Sequence, residues 1–339
     1  MKWYEIEGEM GGIVVSTRVR LARNLSDYPF PAKLSSKDEK EILEKVSDFL
    51  TENRDDGETY TLTELSNADS VTAGALVEKH VISPHMAAKS GNRGVVLSED
   101  ESVSIMINEE DHLRIQVLGS GFCLDECLEK ANKIDDLLDG EFTYAWSERL
   151  GYLTRCPSNL GTGLRASVML HLPAHTESGE ISMLISSLGR LGFSVRGIYG
   201  EGSAAIGSYY QISNQFTFGS DEQDTIDRLA KVVKSTVEHE QELRDKYRKR
   251  HSDADEDKVW RAYGLLKYAR KLSSAEATSL LGDVRRGVVA GDLEDVGIPL
   301  LNALLWQVQP NQVKLISGDH HMDSEERDVA RAEMVRGSF

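Results

Sequence analysis

The segment RCPSNLGTGLRASVML, residues 155–170, constrains the fold more than any other part of the chain. It joins a cysteine, a proline, two glycines separated by one residue, and an arginine that opens an aliphatic run ended by Pro173. A regular helix or strand gains nothing from the first half of that mixture: proline removes a backbone donor, and glycine raises the entropic cost of ordering. The segment reads as a loop that delivers the thiol of Cys156 beside a strand, ASVMLHLP. Its glycines would let the backbone pass close to a ligand. The run is neither a Walker A loop nor a dinucleotide fingerprint, so on its own it identifies no cofactor.

The elements around this loop follow from periodicity. IVVSTRVRLARNL, residues 13–25, begins as an apolar strand and then interleaves arginines with aliphatics. In SSKDEKEILEKVSDFL, Ser35 or Ser36 is placed to cap a helix whose Ile42, Leu43, Val46, Phe49 and Leu50 recur at helical spacing. SVSIMINEEDHLRIQVLG alternates like adjacent strands, and LDECLEKANKIDDLLDG reads as a helix with a glycine stop. EISMLISSLGRLG is a short helix, and strands joined by a Gly-rich loop follow it. A long amphipathic helix is expected from about Asp224 to Arg250, with Ile226, Leu229, Val233 and Val237 on one face. The polar stretch at 244–257 makes a linker, and everything beyond is helical, with Ser273 and Glu276 at capping-box spacing. The expected organisation is a short N-terminal segment (1–12), an α/β domain over 13–243, the linker, and a small helical domain over 258–339.

A chain of 339 residues, 40% of them hydrophobic, can bury a sizeable core. Its formal charge of -17 argues against general nucleic-acid binding, which needs clustered cations. Any anion site must be a local concentration of positive charge. The acidic N-terminus is unlike a signal peptide, and no apolar run approaches the ~20 residues of a membrane helix. Three cysteines are too few for a disulfide framework, which fits a cytoplasmic protein. Cys123 and Cys127, four apart on a helix, read as packing residues.

Against that acidic background, Arg18, Arg20, Arg114, Arg165 and Arg196 sit in strand-end or Gly-rich contexts. Arg18 and Arg20 point the same way on an extended strand. Guanidinium groups match phosphate oxygens and stay charged at any working pH, so a converging set would suit a triphosphate. Scattered surface arginines in ion pairs would show the same spacing. NEEDHLR is the other dense motif. Read as a strand, it puts Glu110, His112 and Arg114 on one face and Glu109 and Asp111 on the other, so a carboxylate lies beside a phosphate-binding arginine. A solvated acidic turn is the alternative. In the tail, Arg327, Asp328 and Arg331 line one side of a helix, a set that would grip a phosphate and a guanidinium together; spacing alone favours the alternative, an exposed intrahelical salt-bridge set.

STRVRLAR, NEEDHLRI, CPSNLGTGLRASV and VRGIYGEGS resemble, in order, the signature segments of the phosphagen (guanidino) kinases. Within that family, LVEKHVISPHMA, ERLGYLTRCPSNLGTGLRASVMLHLP and the late RDVARA are similar to the bacterial protein arginine kinases, over nearly the whole chain. The resemblance implies an antiparallel sheet flanked by helices plus a small C-terminal helical domain. It implies Cys156 as the reactive cysteine against the substrate guanidinium, Glu110 as the carboxylate that positions and deprotonates it, and Glu201 as a second carboxylate on a closing loop. It places ATP, with Mg²⁺ on its phosphates, against Ser16, Thr17, Arg18, Val19, Arg20, His80 and Arg114. That site would continue through Arg165, Ala166, Ser167, Val168 and Met169, and then Arg196, Gly197, Ile198, Tyr199, Gly200 and Glu201. It makes Arg327, Asp328 and Arg331 a phosphoarginine-binding, allosteric site.

The implied activity is transfer of the γ-phosphoryl group of ATP to arginine side chains of proteins, in stress response and protein quality control. The implied partners are arginine-bearing protein substrates, a second copy in a homodimer, an McsA-type activator, a CtsR-type repressor and the ClpC–ClpP protease, with no direct nucleic-acid or membrane contact. STRVR begins at residue 16, which leaves no room for the larger N-terminal helical domain of metabolite kinases and points to a shallower, open substrate site. Family contacts beyond the final VRGSF are expected to be absent. The rival readings are a kinase of free arginine and a non-catalytic phosphoarginine-binding regulator.

Overall fold

The computed structural model describes residues 1–52, 57–197 and 205–339. Strand β1 (Val14–Arg23) leads to helix α1 (Ser36–Glu52), β2 (Tyr60–Glu64), α2 (Ser70–Glu78) and α3 (Pro84–Ala88). Then come β3 (Gly94–Ser98), β4 (Val103–Ile107), β5 (Leu113–Ser120) and α4 (Leu124–Glu141). A small hairpin, β6 (Trp146–Ser147) and β7 (Gly151–Tyr152), precedes β8 (Leu164–His171), α5 (Pro173–Glu177) and α6 (Ile181–Arg190). β9 (Phe193–Gly197) and β10 (Tyr209–Asn214) complete the strands. The chain ends in helices α7 (Glu222–Tyr268), α8 (Ser274–Ala290), α9 (Ile298–Gln307), α10 (Pro310–Ser317) and α11 (Ser324–Arg336).

Eight strands form one sheet in the order β2-β3-β4-β5-β1-β8-β10-β9, and every pairing in it is antiparallel. Alternation divides its faces. Val19, Leu21, Ile115, Val168 and Ile212 point to one side, where Ile42 and Val46 of α1, Leu128 and Ile134 of α4, and Ile226 and Leu229 of α7 close the core. The opposite face carries the arginines. Helix α1 starts where Ser35 Oγ accepts the Asp38 N–H at 3.2 Å, and Ser273 Oγ accepts the Glu276 N–H at the start of α8.

A second core joins Val259 and Leu266 of α7 to Leu281, Leu301, Leu304 and Val335 of the later helices. The polar stretch at 244–257 is not an extended linker. It is part of α7, a helix of 47 residues broken only by the non-helical backbone of His251 (φ -137°). The stretch contains no glycine or proline, so nothing in it interrupts helical hydrogen bonding, and Asp255 within it is buried against Arg286 at 2.5 Å. The first residues tie the two cores together. Trp3 packs on Trp306 with ring centroids 6.1 Å apart, and the buried Arg285 donates to the Gly11 carbonyl at 2.5 Å and to Asn302 Oδ1 at 2.8 Å.

Candidate active site

The opening loop owes its glycines to the protein's own backbone. Gly161 (φ 94°) and Gly163 (φ 66°) both adopt left-handed conformations, and a Cβ would lie 2.4 Å from the Thr217 carbonyl oxygen and 2.7 Å from the Ala22 carbonyl oxygen. The close approach that the sequence suggests for a ligand is therefore made by neighbouring strands and loops. Pro157 starts a short 3₁₀ turn after Cys156. Thr217 Oγ1 bridges that turn, 2.9 Å from the Ser158 carbonyl and 2.6 Å from the Leu160 carbonyl. Cys156 is half-buried, with its Sγ 3.0 Å from Ser158 Oγ.

Register brings the arginines together. Arg20 sits opposite Arg165, Arg18 opposite Ser167, and Gln211 opposite both Met169 and Arg196. On the other side of β1, Arg20 pairs with Gln116 and Ala22 with Arg114. Directly paired residues share a face, so Arg18, Arg20, Arg114, Arg165 and Arg196 all project from the same side of the sheet. Ser16, Ser167 and Met169 line that side as well. Thr17, Val19, Ala166 and Val168 face the core instead, so in the two ATP-contact runs expected from the resemblance only alternate side chains reach the arginine face. Thr17 turns its hydroxyl to the Gly121 carbonyl at 2.7 Å.

The electrostatics show how close these groups lie. Burial, with repulsion from Arg114 and Arg165, lowers Arg18 to about 10. Arg20 is pushed down further by burial and by Arg18, Arg114 and Arg165, with Glu109 opposing. Arg165 is lowered by burial, Arg196 and Arg114, while Cys156 and Glu110 act in the other direction. Cys156 and Glu110 are thus within electrostatic reach of the same guanidinium. Arg20 and Arg165 each keep a buried Nε without a partner. His80 lies beside this cluster: burial, then Arg18 and Arg20, lowers its imidazole to about 3, so it is neutral at ordinary pH. It stacks edge-on against Trp306 at 5.0 Å, in a left-handed backbone (φ 61°).

NEEDHLR departs from the alternating strand reading. Residues 108–112 form the connection between β4 and β5, so strand parity does not apply to them. Arg114 Nη2 meets both acids, Glu109 Oε2 at 2.8 Å and Glu110 Oε2 at 3.0 Å. Glu109 is only 2% exposed and also accepts from Ser83 Oγ at 2.5 Å and from the Glu110 N–H at 2.7 Å. Glu110, by contrast, keeps about a third of its side chain open (32%), which leaves its carboxylate accessible. His112 turns away from Glu110. It is fully buried, its Nδ1 accepting the Leu25 N–H at 3.0 Å, and burial lowers it to about 4. Asp111 pins the cysteine loop by accepting from the Arg155 N–H and from Asn24 Nδ2, both at 2.7 Å.

Glu109, Asp111, Asn24, Ser83 and Thr217 are the positioning residues that sequence reasoning missed. Only Glu109 and Asp111 carried a signal, by belonging to the acidic triple. Glu201 and its neighbours Ile198, Tyr199 and Gly200 lie outside the described residues, while Gly197 ends β9. Cys123 and Cys127 stand away from Cys156 on and beside α4. Their Sγ atoms are 3.6 Å apart and pack against Gly119.

In the tail, Arg331 is 1% exposed and its guanidinium is engaged by backbone: Nε donates to the Val308 carbonyl at 2.6 Å and Nη1 to the Leu272 carbonyl at 2.7 Å. Nη1 also meets Asp328 Oδ1 at 2.6 Å. Asp328 thus pairs with a guanidinium of this chain. Arg327 donates to the Met322 carbonyl at 3.4 Å and keeps a buried Nε without a partner.

The face fits a polyanion: five guanidinium groups share one side of the sheet, Arg114 among them is paired with the two carboxylates, and two buried donors wait for an acceptor. Among the described residues no cluster of three or more His, Cys, Asp or Glu could hold a metal ion. No helix among them is long and apolar enough to cross a membrane. The family model of the ATP:guanido phosphotransferase C-terminal catalytic domain matches residues 41–243, and that of the protein-arginine kinase McsB C-terminal domain matches 253–339. The chain is 43% identical over 334 residues to a protein-arginine kinase of Halalkalibacterium halodurans, spanning 98% of this chain and 94% of that one. It is 44% identical over 336 residues to the protein-arginine kinase of Geobacillus stearothermophilus, spanning 98% and 92%. Among solved structures, a lombricine kinase superposes with a TM-score of 0.61 at 27% identity, over 69% of this chain and 67% of that one. A duplicated taurocyamine kinase from Schistosoma mansoni, with bound transition state analog components, gives 0.59 at 28% identity, over 68% of this chain and 33% of that one. The sheet and both halves of the chain agree: it belongs to the ATP:guanido phosphotransferase family and, within it, to the protein-arginine kinases.

Proposed function

We propose that this chain transfers the γ-phosphoryl group of ATP to arginine side chains of proteins. The observation that carries the reading is the shared face: Arg18, Arg20, Arg114, Arg165 and Arg196 on one side of the sheet, with Glu110 and Cys156 within electrostatic reach of Arg165. ATP, as donor, supplies the phosphoryl group. The guanidinium groups would hold its phosphates and stabilise the charge that spreads over the transferring group. The orphaned Nε atoms of Arg20 and Arg165 would gain acceptors. No protein ligand is assigned to Mg²⁺.

A free guanidinium is a poor nucleophile because its pKa lies above ~12. Glu110 would hold the acceptor's nitrogens in line and take a proton from one of them as the phosphorus–nitrogen bond forms, and Cys156 would flank the same group. Glu109 fixes Arg114, and Arg114 in turn orients Glu110. We assign Arg327, Asp328 and Arg331 to phosphoarginine binding, with Arg327 as the donor still available. By family resemblance the enzyme is a cytoplasmic homodimer served by an McsA-type activator, a CtsR-type repressor and the ClpC–ClpP protease. The test is incubation with Mg-ATP and either an unfolded protein or free L-arginine, followed by detection of phosphoarginine at neutral pH. Label on the protein is expected. Label on free arginine alone identifies a metabolite kinase, and no transfer identifies a binding regulator.

A further inference from the structure

A groove of about 590 Å³ lies behind the cysteine loop, lined by Trp146, Tyr152, Gly161, Thr217, Phe218, Asp221 and Glu222 among others. Two of its walls are large aromatic side chains left in solvent: Trp146 is 56% and Phe218 58% exposed. They come from distant parts of the chain, the β6–β7 hairpin and the segment before α7, so their convergence is a property of the fold. Among the described residues no lysine or arginine lines the groove, whereas Asp221 and Glu222 do. Glu222 stands 3.6 Å from Arg23, whose Nη2 closes on Asp135 at 2.6 Å. Burial raises the Glu222 carboxyl despite that neighbour.

The molecule already shows what such a surface accepts. On the inner side, the guanidinium of Arg23 lies over the Tyr152 ring at 3.5 Å. Aromatic faces backed by carboxylates attract cations, most strongly where water is partly excluded. The groove is also joined to the cysteine loop. Gly161 forms part of its floor, and Thr217, next to Phe218, bonds the Ser158 and Leu160 carbonyls.

We propose that this groove is a docking subsite for a lysine or arginine side chain flanking the target arginine of a polypeptide substrate. The inference rests on the protein-kinase reading above and deepens it: substrate choice would be set partly by a second cation, held by Trp146 and Phe218 over Asp221 and Glu222. The experiment uses two peptides with one target arginine, flanked by lysines in one and leucines in the other. With Trp146→Ala/Phe218→Ala, KM for the lysine-flanked peptide is expected to rise about tenfold at unchanged kcat, with less than about a twofold change for the leucine-flanked one. Equal losses on both peptides, or a loss confined to kcat, would overturn the proposal. Phe218→Leu keeps apolar bulk without the ring face and is expected to act like Phe218→Ala; behaviour like wild type overturns the cation-specific reading. Calorimetric titration of an arginine-free lysine peptide, without ATP, decides the groove independently of transfer. Binding that weakens about tenfold in the double variant supports it, and no binding to the wild type sinks it. A wild-type enzyme that labels neither peptide defeats the functional reading, while this titration still judges the groove.

Discussion

Arg20 on the sheet face and Arg331 in the tail are both sequestered guanidinium groups, and they differ in what meets them. Arg20 stands among three other cations, with Glu109 as the opposing charge and one donor unmatched. Arg331 donates to two backbone carbonyls and a carboxylate, so its charge works as a cross-link between α11, the end of α9 and the start of the α8 region. Burial alone therefore says little about the role of an arginine. The sheet face has an excess of positive charge that an incoming anion would relieve, whereas Nε and Nη1 of Arg331 already have partners and Arg327 keeps an unmatched Nε.

The sharpest test of this contrast is at the two carboxylates. Glu110→Gln is expected to lower transfer to protein arginine by about a thousandfold or more while leaving ATP affinity within about threefold, read by phosphoarginine formation and nucleotide titration. Asp328→Asn should leave kcat within about twofold and weaken phosphoarginine binding. If Glu110→Gln loses ATP instead, the carboxylate organises the nucleotide face and not the acceptor. Next, Arg165→Ala should weaken ATP binding about a hundredfold, and Arg327→Ala should not change it. Equal effects would erase the distinction between the two regions.

Stability should show the reverse pattern. Arg331→Ala leaves the Leu272 and Val308 carbonyls unpaired and is expected to cost ~3 kcal/mol in urea denaturation, against less than ~0.5 kcal/mol for Arg327→Ala. The last test concerns pH. His80 and His112 titrate in the folded chain at about 3 and about 4, and in the unfolded chain near ~6.5. The unfolded state binds protons first, so stability falls as pH drops from ~6.5 towards the folded values. His80→Asn, which suits the left-handed backbone there, should flatten that slope; an unchanged slope would place the titration elsewhere.

Much of this was legible in the chain. Periodicity found the helices starting at Ser36 and Ser274, and the parity of Arg18 and Arg20 carried over to the sheet because β1 is regular there. Convergence was not legible. Arg20 meets Arg165 through pairing register, which depends on loops and on long-range contacts, and the family motifs alone brought these positions together. The NEEDHLR alternation failed because its acids lie in a connection, held by Ser83, Asn24 and Lys89 from distant segments. The polar stretch at 244–257 misled because solvated residues look alike in a linker and on the outside of a long helix.

That helix has a mechanical consequence. α7 begins under the catalytic sheet and ends in the tail's apolar cluster, so a single helix is built into both cores. A tilt of its far end would reach the sheet as leverage, and the non-helical backbone of His251 is where such a rod would give.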